Sequence, residues 1–180
     1  SASAESGSKK FDSGSGTVAI KNNVLKKTGV QVDNSNRIKY TILVNESAVD
    51  LVRTSDFLEL VDTMDAKCTL VPSTLKVYEW GSGAWRLLGD NGYSSKMEQV
   101  DGSAGTCTKL TLNVPDEKYL KVEYEVIPSG NPGDKVSLSN TAKLTGVVEG
   151  SAIDDQVWTV KKVSASAGGN GYGITMTKYD

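Results

Sequence analysis

The chain has 180 residues, 38% of them hydrophobic, and its 20 basic and 22 acidic residues leave a formal net charge of -2. A chain of this kind can bury a core, and without a basic block it is not expected to bind nucleic acid or an anionic membrane. Histidine is absent, which removes the usual general base, the commonest zinc ligand and the Ser-His and Cys-His nucleophile pairs. We therefore expect no metal, no cofactor and no turnover enzyme.

The two ends of the sequence differ in composition from its middle. Residues 1–16 are rich in Ser, Gly and Lys, and a similar stretch, SASAGGNGYG, occupies 164–173. Both compositions are typical of flexible connections. The start lacks the apolar core of a signal peptide, and no apolar run is long enough to span a membrane. We interpret the chain as a mature or excised fragment with one domain at 17–163, preceded by a linker or N-terminal extension.

Period-two alternation of apolar and polar residues dominates this domain. The pattern predicts strands at 17–27, 37–44, 57–62, 74–80, 107–114, 119–126, 135–145 and 156–163. Turn-rich pieces such as VDNSN, WGSGAW and PSGNPGD separate them, and the best candidate for a helix is a turn or two around SAVDLVRTSDF. The number and spacing of the strands predict an all-β fold, an antiparallel β-sandwich.

Three polar side chains occupy unexpected positions in these strands. Asn140 in VSLSNTAKLTG and Asp62 in FLELVDT have the same phase as the apolar residues around them, and the first strand supplies Lys26 or Lys27. Each has an ordinary explanation when taken alone. Asn140 would be a hydrogen-bonded core amide, Asp62 would begin a turn, and either lysine would discourage edge pairing.

Together, a lysine, an aspartate and an asparagine inside one sandwich can react. Burial favours the neutral amine and the protonated carboxyl group, and a neutral amine is a nucleophile. Asp62 could then donate to the carbonyl of Asn140 and carry a proton to its departing nitrogen as the lysine attacks. Ammonia would leave, and an amide crosslink would remain.

The sequence resembles a known family at these positions. The similar segments are LKKTG, RIKYTILVNESAVDL, LELVDTM, LVPSTLKVY and SNTAKLTG, in that order. They resemble the Ig-like, Cna-type domains of Gram-positive surface adhesins and pilins that carry autocatalytic Lys-Asn isopeptide bonds. The resemblance covers about residues 17–163. It implies a structural or adhesive module on the bacterial cell surface, anchored to the cell wall through its parent protein.

The resemblance also implies roles for the three polar residues. Lys27 and Asn140 would form the bond, and Asp62 would be the catalytic proton shuttle. Lys26 is the alternative lysine, because in an unbroken first strand its side chain lies on the same face as that of Val24. A bulge at 22–23 would favour Lys27 instead. The resemblance favours Lys27, because the family's lysine directly precedes a small turn pair.

Implied partners follow from the same resemblance. They are neighbouring Ig-like domains of the same polypeptide and a host matrix protein or glycan. The segment GYGITMTKYD resembles the first strand of a following domain, with Lys178 in the position of its bonding lysine. Residues 164–180 would then be a linker followed by that strand.

Two further groups of residues are candidate functional sites. Trp80, Trp85 and Tyr93 lie in the loop-rich stretch 78–97 and are a candidate ligand surface, the alternative being that they cover one end of the sandwich. Cys68 and Cys107 are a candidate disulfide in an oxidising exterior, the alternative being two separate buried thiols.

Overall fold

The computed structural model describes residues 24–145 and 150–160. These residues form ten β-strands and no helix. The strands are β1 (Leu25–Gln31), β2 (Ile38–Val44), β3 (Phe57–Thr63), β4 (Cys68–Gly81), β5 (Ala84–Leu87), β6 (Ser94–Gly102), β7 (Gly105–Pro115), β8 (Leu120–Pro128), β9 (Lys135–Thr145) and β10 (Gly150–Thr159). Nothing in this part of the chain is a helix with the length and hydrophobicity needed to cross a membrane.

The strands form two five-stranded sheets, in which all neighbours run antiparallel. One sheet has the order β1-β2-β8-β4-β5, and the other has the order β10-β9-β3-β7-β6. Strands β1 and β9 belong to different sheets but lie in contact across the interior. The all-β sandwich expected from the sequence is confirmed.

The core lies between the sheets and follows from side-chain alternation. In β2 and β8 every second residue is buried, as expected for strands with one face against a second layer. The largest fully buried side chains include Tyr40 and Tyr124, whose ring centroids are 5.6 Å apart. Two tyrosines therefore place polar hydroxyl groups inside an otherwise apolar core.

The stretch predicted to be rich in loops contains two further strands. Strand β5 and strand β6 both fall in or next to residues 78–97, and β4 extends well beyond the predicted 74–80. Most side chains of β5 and β6 are exposed. Because neither face of these strands is consistently buried, their sequences lack the alternation on which the strand prediction depended.

The prediction of a helical turn around SAVDLVRTSDF is wrong. This segment contains no helix, and part of its backbone forms hydrogen bonds with the side chain of Asp116. The Asp116 carboxylate accepts hydrogen bonds from the N–H groups of Leu51, at 3.0 and 3.1 Å, and of Val52, at 2.9 Å. These donors bond to a distant side chain and not to a helical carbonyl, so tertiary contacts determine the local conformation.

Several predictions fall outside the described residues. They concern the extension at 1–16, the start of the first strand with its bulge at 22–23, the end of the last strand at 161–163, and the segment 164–180 with Lys178. The boundaries of the predicted domain and of the following domain therefore stay predictions.

Candidate functional site

Strand β1 places Lys27 inside the sandwich and Lys26 outside it. Leu25, Lys27 and Gly29 form its buried face, and the side chain of Lys27 has no exposed surface. The side chain of Lys26 is 53% exposed and pairs with Glu46 at 3.2 Å. Val24 lies in a bend directly before the strand and is buried, as is Leu25 beside it. The alternation of buried and exposed residues is therefore interrupted at this point. Lys26 was favoured only if the alternation ran unbroken from Val24, and it does not.

Lys27 forms a closed set of contacts with two residues from other strands. Its Nζ lies 2.6 Å from Oδ2 of Asp62 and 3.2 Å from the hydroxyl oxygen of Tyr124. The Tyr124 hydroxyl in turn donates to Oδ1 of Asp62 at 2.9 Å. Tyr124 comes from β8, in the same sheet as β1, whereas Asp62 comes from β3 in the facing sheet. The lysine therefore bridges the two layers.

Burial determines the electrostatics of this pair. Desolvation lowers the pKa of the Lys27 amine, although the adjacent Asp62 opposes the change. Desolvation likewise raises the pKa of the Asp62 carboxyl group, against the opposing effects of Lys27 and Tyr124. Both directions favour a neutral amine beside a protonated acid. A contact of 2.6 Å suits that neutral pair as well as an ion pair, because one proton lies between the two heavy atoms in either case.

Aromatic rings complete the walls around the amine. The Nζ atom of Lys27 lies 5.0 Å from the ring centroid of Tyr40 and 5.7 Å from that of Tyr124. The two tyrosine rings help to keep water away from the amine. The alternation of residues in β2 and β8 predicts that both tyrosines are buried. Their position beside the lysine could not be predicted, because that position depends on how the two sheets face each other.

Asn140 is fully buried next to this pair. In the pairing of β3 with β9, Asp62 lies directly opposite Ala142. Asn140 is two residues from Ala142 on the same face of β9, so it is the diagonal neighbour of Asp62. Such neighbours lie within reach of long side chains. Oδ1 of Asn140 accepts a hydrogen bond from the backbone N–H of Asp65 at 2.8 Å. Its Nδ2 has no hydrogen-bond partner among the described residues.

Asp65 fixes the position of this backbone donor. Its Oδ2 accepts from the N–H of Ser139 at 3.0 Å, and its Oδ1 accepts from the N–H of Lys67 at 2.9 Å. These bonds attach the segment after β3 to β9 next to Asn140. The sequence pattern does not indicate this arrangement, because Asp65 lies outside the strands, where alternation cannot predict which side chains are buried. In the structure a backbone amide, and not Asp62, bonds to the carbonyl oxygen.

The glycine after the lysine has a different role from the one expected. Thr28 and Gly29 continue β1 and form no turn. A Cβ on Gly29 would lie 2.9 Å from Cε1 of Tyr40 and 3.0 Å from Oδ2 of Asp154. A larger residue would therefore displace the neighbours of Lys27, and the glycine allows their close approach.

The three aromatic residues of the candidate ligand surface do not lie together. Trp80 and Trp85 are cross-strand partners in β4 and β5, with ring centroids 5.2 Å apart. Tyr119 joins them, 4.8 Å from Trp85, and was not predicted. Tyr93 instead packs against the core and lines a shallow cavity beside Asn113 in the other sheet.

Both candidate disulfide cysteines are free thiols in the structure. Cys68 begins β4, is buried, and donates its thiol to the carbonyl of Asp65 at 3.3 Å. Burial raises the pKa of this thiol to about 12, which makes it unreactive. Cys107 lies in β7, in the other sheet, with its sulfur 3.7 Å from the carbonyl oxygen of Gly105. Their pairing stays a prediction.

Thiol titration of unfolded, unreduced protein tests that pairing. If the two cysteines pair in an oxidising exterior, protein never exposed to reductant should show no free thiol. Unfolding is needed because the buried Cys68 would escape reaction in the folded domain. Two free thiols per chain in such a sample would contradict the disulfide and leave two separate thiols.

Comparisons with known proteins support the fold. No protein-family profile and no curated protein sequence matches the chain. Among solved structures, the collagen adhesin CNA from Staphylococcus aureus is similar with a TM-score of 0.51 and 11% identity, over 74% of this chain and 49% of that one. The collagen-binding subdomain of the Enterococcus faecalis surface protein ACE gives a TM-score of 0.47 and 13% identity, over 77% of this chain and 96% of that one.

A pilin gives a comparable result. The major pilin SpaA of Corynebacterium diphtheriae, described with a modular pilus assembly and stabilising isopeptide bonds, is similar with a TM-score of 0.49 and 17% identity. The match covers 67% of this chain and 31% of the pilin. The structural neighbours of the chain are thus Cna-type adhesin and pilin domains. At a TM-score of 0.51 and 11% identity, the similarity to the collagen adhesin shows a shared fold alone, the Ig-like antiparallel sandwich.

Proposed function

We propose that this domain is a structural or adhesive module of a bacterial cell-surface protein or pilin, stabilised by an intramolecular isopeptide bond between Lys27 and Asn140. One observation carries the proposal. A lysine with no exposed surface lies 2.6 Å from an equally buried aspartate, and a buried amide lies diagonally across the strands from that aspartate.

The buried groups supply what amide formation needs. The neutral Lys27 amine attacks Cγ of Asn140, and the electron pair of the C=O double bond moves onto Oδ1. The N–H of Asp65 is already bonded to that oxygen at 2.8 Å and stabilises the negative charge as it develops. Asp62 is protonated and in contact with Nζ. It gives its proton to Nδ2 as the bond from Cγ to Nδ2 breaks, and it takes up the proton that the attacking nitrogen loses. Ammonia leaves, and Asp62 is protonated again at the end.

The strand order explains why a crosslink at this position would resist force. Strand β1 lies at the end of its sheet, where its hydrogen bonds are made with β2 alone, whereas β9 lies inside the facing sheet. An edge strand under tension can be peeled away one hydrogen bond at a time. A covalent bond from Lys27 to Asn140 joins the sheets through β1 and β9 and stops peeling at the lysine.

The mass of the intact chain tests the proposed bond. Its formation removes one ammonia and nothing else, so the purified protein should be lighter by that amount than its sequence requires. A full sequence mass in folded protein would refute the bond and leave Asn140 as a hydrogen-bonded core amide.

The setting of such a module follows from the same proposal. The domain would be extracellular, one of several Ig-like domains in a parent polypeptide attached to the cell wall, with its neighbours in that polypeptide as partners. Similarity of fold to a collagen adhesin supports this setting. It would perform one autocatalytic crosslink and no turnover catalysis.

Ligand binding is a second candidate function, favoured by the cluster of Trp80, Trp85 and Tyr119. The indole of Trp80 is exposed at 44%, and Nζ of Lys121 lies 4.9 Å from the ring centroid of Trp85. Exposed aromatic rings beside a cation offer stacking faces to a sugar ring or to proline-rich collagen. The host partner would therefore be a glycan or a matrix protein.

A binding assay with triple-helical collagen and a glycan panel tests this second function. If the cluster is the ligand surface, Trp85→Ala should weaken binding at least about tenfold, since a central aromatic contributes about 2 kcal/mol or more. Phe57→Ala is the matched control, because Phe57 is a 45% exposed aromatic in the other sheet. Equal binding by wild type and Trp85→Ala would contradict the assignment.

A further inference from the structure

The hydroxyl group of Tyr124 is the second polar contact of the buried amine. Tyr124 in β8 is fully buried, and its ring packs against that of Tyr40. The ring alone would fill this space, and burying a hydroxyl group without partners costs free energy. The Tyr124 hydroxyl has two partners, since it accepts from Nζ of Lys27 at 3.2 Å and donates to Oδ1 of Asp62 at 2.9 Å. It therefore joins the lysine to the acid.

Three hydrogen bonds connect these groups in a closed ring. One proton lies between Oδ2 of Asp62 and Nζ of Lys27, which are 2.6 Å apart. Desolvation lowers the pKa of the amine and raises the pKa of the acid, so this proton belongs to Oδ2 and the amine is neutral before reaction. Nζ then donates to the Tyr124 hydroxyl, and the hydroxyl donates to Oδ1. Each of the three groups gives one proton and receives one.

The two oxygens of Asp62 differ in what they can do in this ring. The proposed bond requires Asp62 to give one proton to Nδ2 of Asn140 and to receive one from Nζ. While Oδ2 holds the proton, Oδ1 is the oxygen that can accept another. Oδ1 contacts the Tyr124 hydroxyl, whereas Nζ contacts Oδ2. The hydroxyl thus lies between the nitrogen that must lose a proton and the oxygen that can accept it.

We propose that Tyr124 is a further catalytic residue, whose hydroxyl group relays the proton lost by Lys27 to Oδ1 of Asp62. The inference rests on the proposed isopeptide bond and assigns the path of one of its two proton transfers. It depends on two contacts, from Nζ to the hydroxyl oxygen and from the hydroxyl to Oδ1. With this relay, one oxygen of Asp62 gives a proton while the other receives one.

The protons balance along this path. Nζ attacks Cγ of Asn140 with its lone pair, after which the nitrogen carries one proton in excess. That proton passes to the Tyr124 oxygen as the hydroxyl proton moves to Oδ1 of Asp62. Oδ2 gives its proton to Nδ2 as the bond from Cγ to Nδ2 breaks. Ammonia leaves, Tyr124 has its hydroxyl group again, and Asp62 ends with its proton on Oδ1.

Tyr124 can act in this way without ionising. Burial, followed by the adjacent Asp62, raises its pKa well above the usual value, so the hydroxyl is neutral before the reaction. A relay suits such a group because one proton arrives as the other leaves. The other hydroxyl and thiol groups near the amine are those of Tyr40 and Cys68, and neither forms a hydrogen bond with Lys27.

The rate of ammonia loss in Tyr124→Phe tests the inference. The full chain is made by brief cell-free synthesis, unfolded at once in guanidinium chloride and then diluted into buffer. Samples stopped with acid are weighed intact, while tryptophan fluorescence follows folding separately. Tyr124→Phe keeps the ring and removes the hydroxyl group. General acid-base catalysis by a positioned side chain contributes about 100-fold or more, so we expect a rate lower by about that factor.

The solvent isotope effect distinguishes a relay from a hydroxyl group that only holds its neighbours in place. In a relay the hydroxyl proton moves in the same step as the proton of Nζ. D₂O should therefore slow the wild type by a larger factor than it slows Tyr124→Phe. The matched control is Tyr78→Phe, which removes the hydroxyl of a half-buried tyrosine in β4 that packs beside Lys121. This control should have the wild-type rate and isotope effect.

The outcomes separate this inference from the proposed bond. A wild type that keeps its full mass refutes the bond itself. A wild type that loses ammonia, together with Tyr124→Phe at a rate within about twofold of it, refutes only the relay. A slow Tyr124→Phe with the wild-type isotope effect would make the hydroxyl a structural group and also overturn the inference. If Tyr124→Phe does not fold, the wild type in mixtures of H₂O and D₂O decides. A rate that falls linearly with the deuterium fraction would mean a single moving proton and no relay, whereas a curved dependence supports it.

Discussion

We expect a folded chain with its full calculated mass from each of three variants, whereas the wild type should be one ammonia lighter. The variants are Lys27→Ala, Asp62→Ala and Asn140→Ala. Lys27 supplies the nucleophile and Asn140 the electrophile, so either change removes a reactant. Asp62 supplies the contact at 2.6 Å through which the amine exchanges its proton. Removing a general acid or base costs about 10²- to 10⁴-fold in rate, so Asp62→Ala should be uncrosslinked when freshly purified.

Lys26→Ala is the matched control for the nucleophile. It removes a lysine from the adjacent position of the same strand, but one whose side chain is 53% exposed and pairs with Glu46. This variant should lose ammonia as the wild type does. Should Lys26→Ala retain its full mass while Lys27→Ala does not, Lys26 would be the bonding lysine. A crosslinked peptide containing residues 27 and 140 after proteolysis identifies the bond directly.

The sequence predicted the sandwich well where each strand has one buried face. Strands β2, β8 and β9 alternate strictly, and the predicted ranges for them match the structure to within a few residues. The same alternation singled out Asn140 and Asp62, both of which have no exposed surface. An amide or acid at a position where the alternation predicts a buried side chain is a strong indication that polar partners lie nearby, because burying it without partners costs a few kcal/mol.

Features that depend on contacts between distant strands could not be predicted. Which of Lys26 and Lys27 is buried depends on where the alternation of β1 begins, and this follows the bend at Val24. Asp65 contacts Asn140 through its backbone, which carries no residue-specific signal. Asp154 faces Asn140 only because β10 pairs with β9 in one particular register, and β10 begins earlier than the predicted 156–163.

Loss of the crosslink should lower the free energy of unfolding by about 5–6 kcal/mol in Asn140→Ala. A bond from residue 27 to residue 140 closes a loop of roughly 110 residues, for which the chain-entropy model of a crosslink gives about 5 kcal/mol. The lost hydrogen bond from the N–H of Asp65 adds about 1 kcal/mol. Asn140→Ala suits this measurement because it keeps the buried pair of Lys27 and Asp62 intact. Denaturant unfolding of both proteins gives the difference, and a value near 1 kcal/mol would mean that no crosslink stabilises the wild type.

Pulling single molecules from their two ends separates a covalent crosslink from strong packing. Uncrosslinked Asn140→Ala should lengthen on unfolding by roughly 370 Å for the segment between the two bonding positions, at about 3.4 Å per residue. In the wild type that segment lies inside a covalent loop, carries no tension and should not extend at any force below bond rupture. Lys26→Ala should behave as the wild type, since its crosslink is intact. If the wild type released the full segment at high force, packing alone would hold the sheets together, and a bond between β1 and β9 would be ruled out.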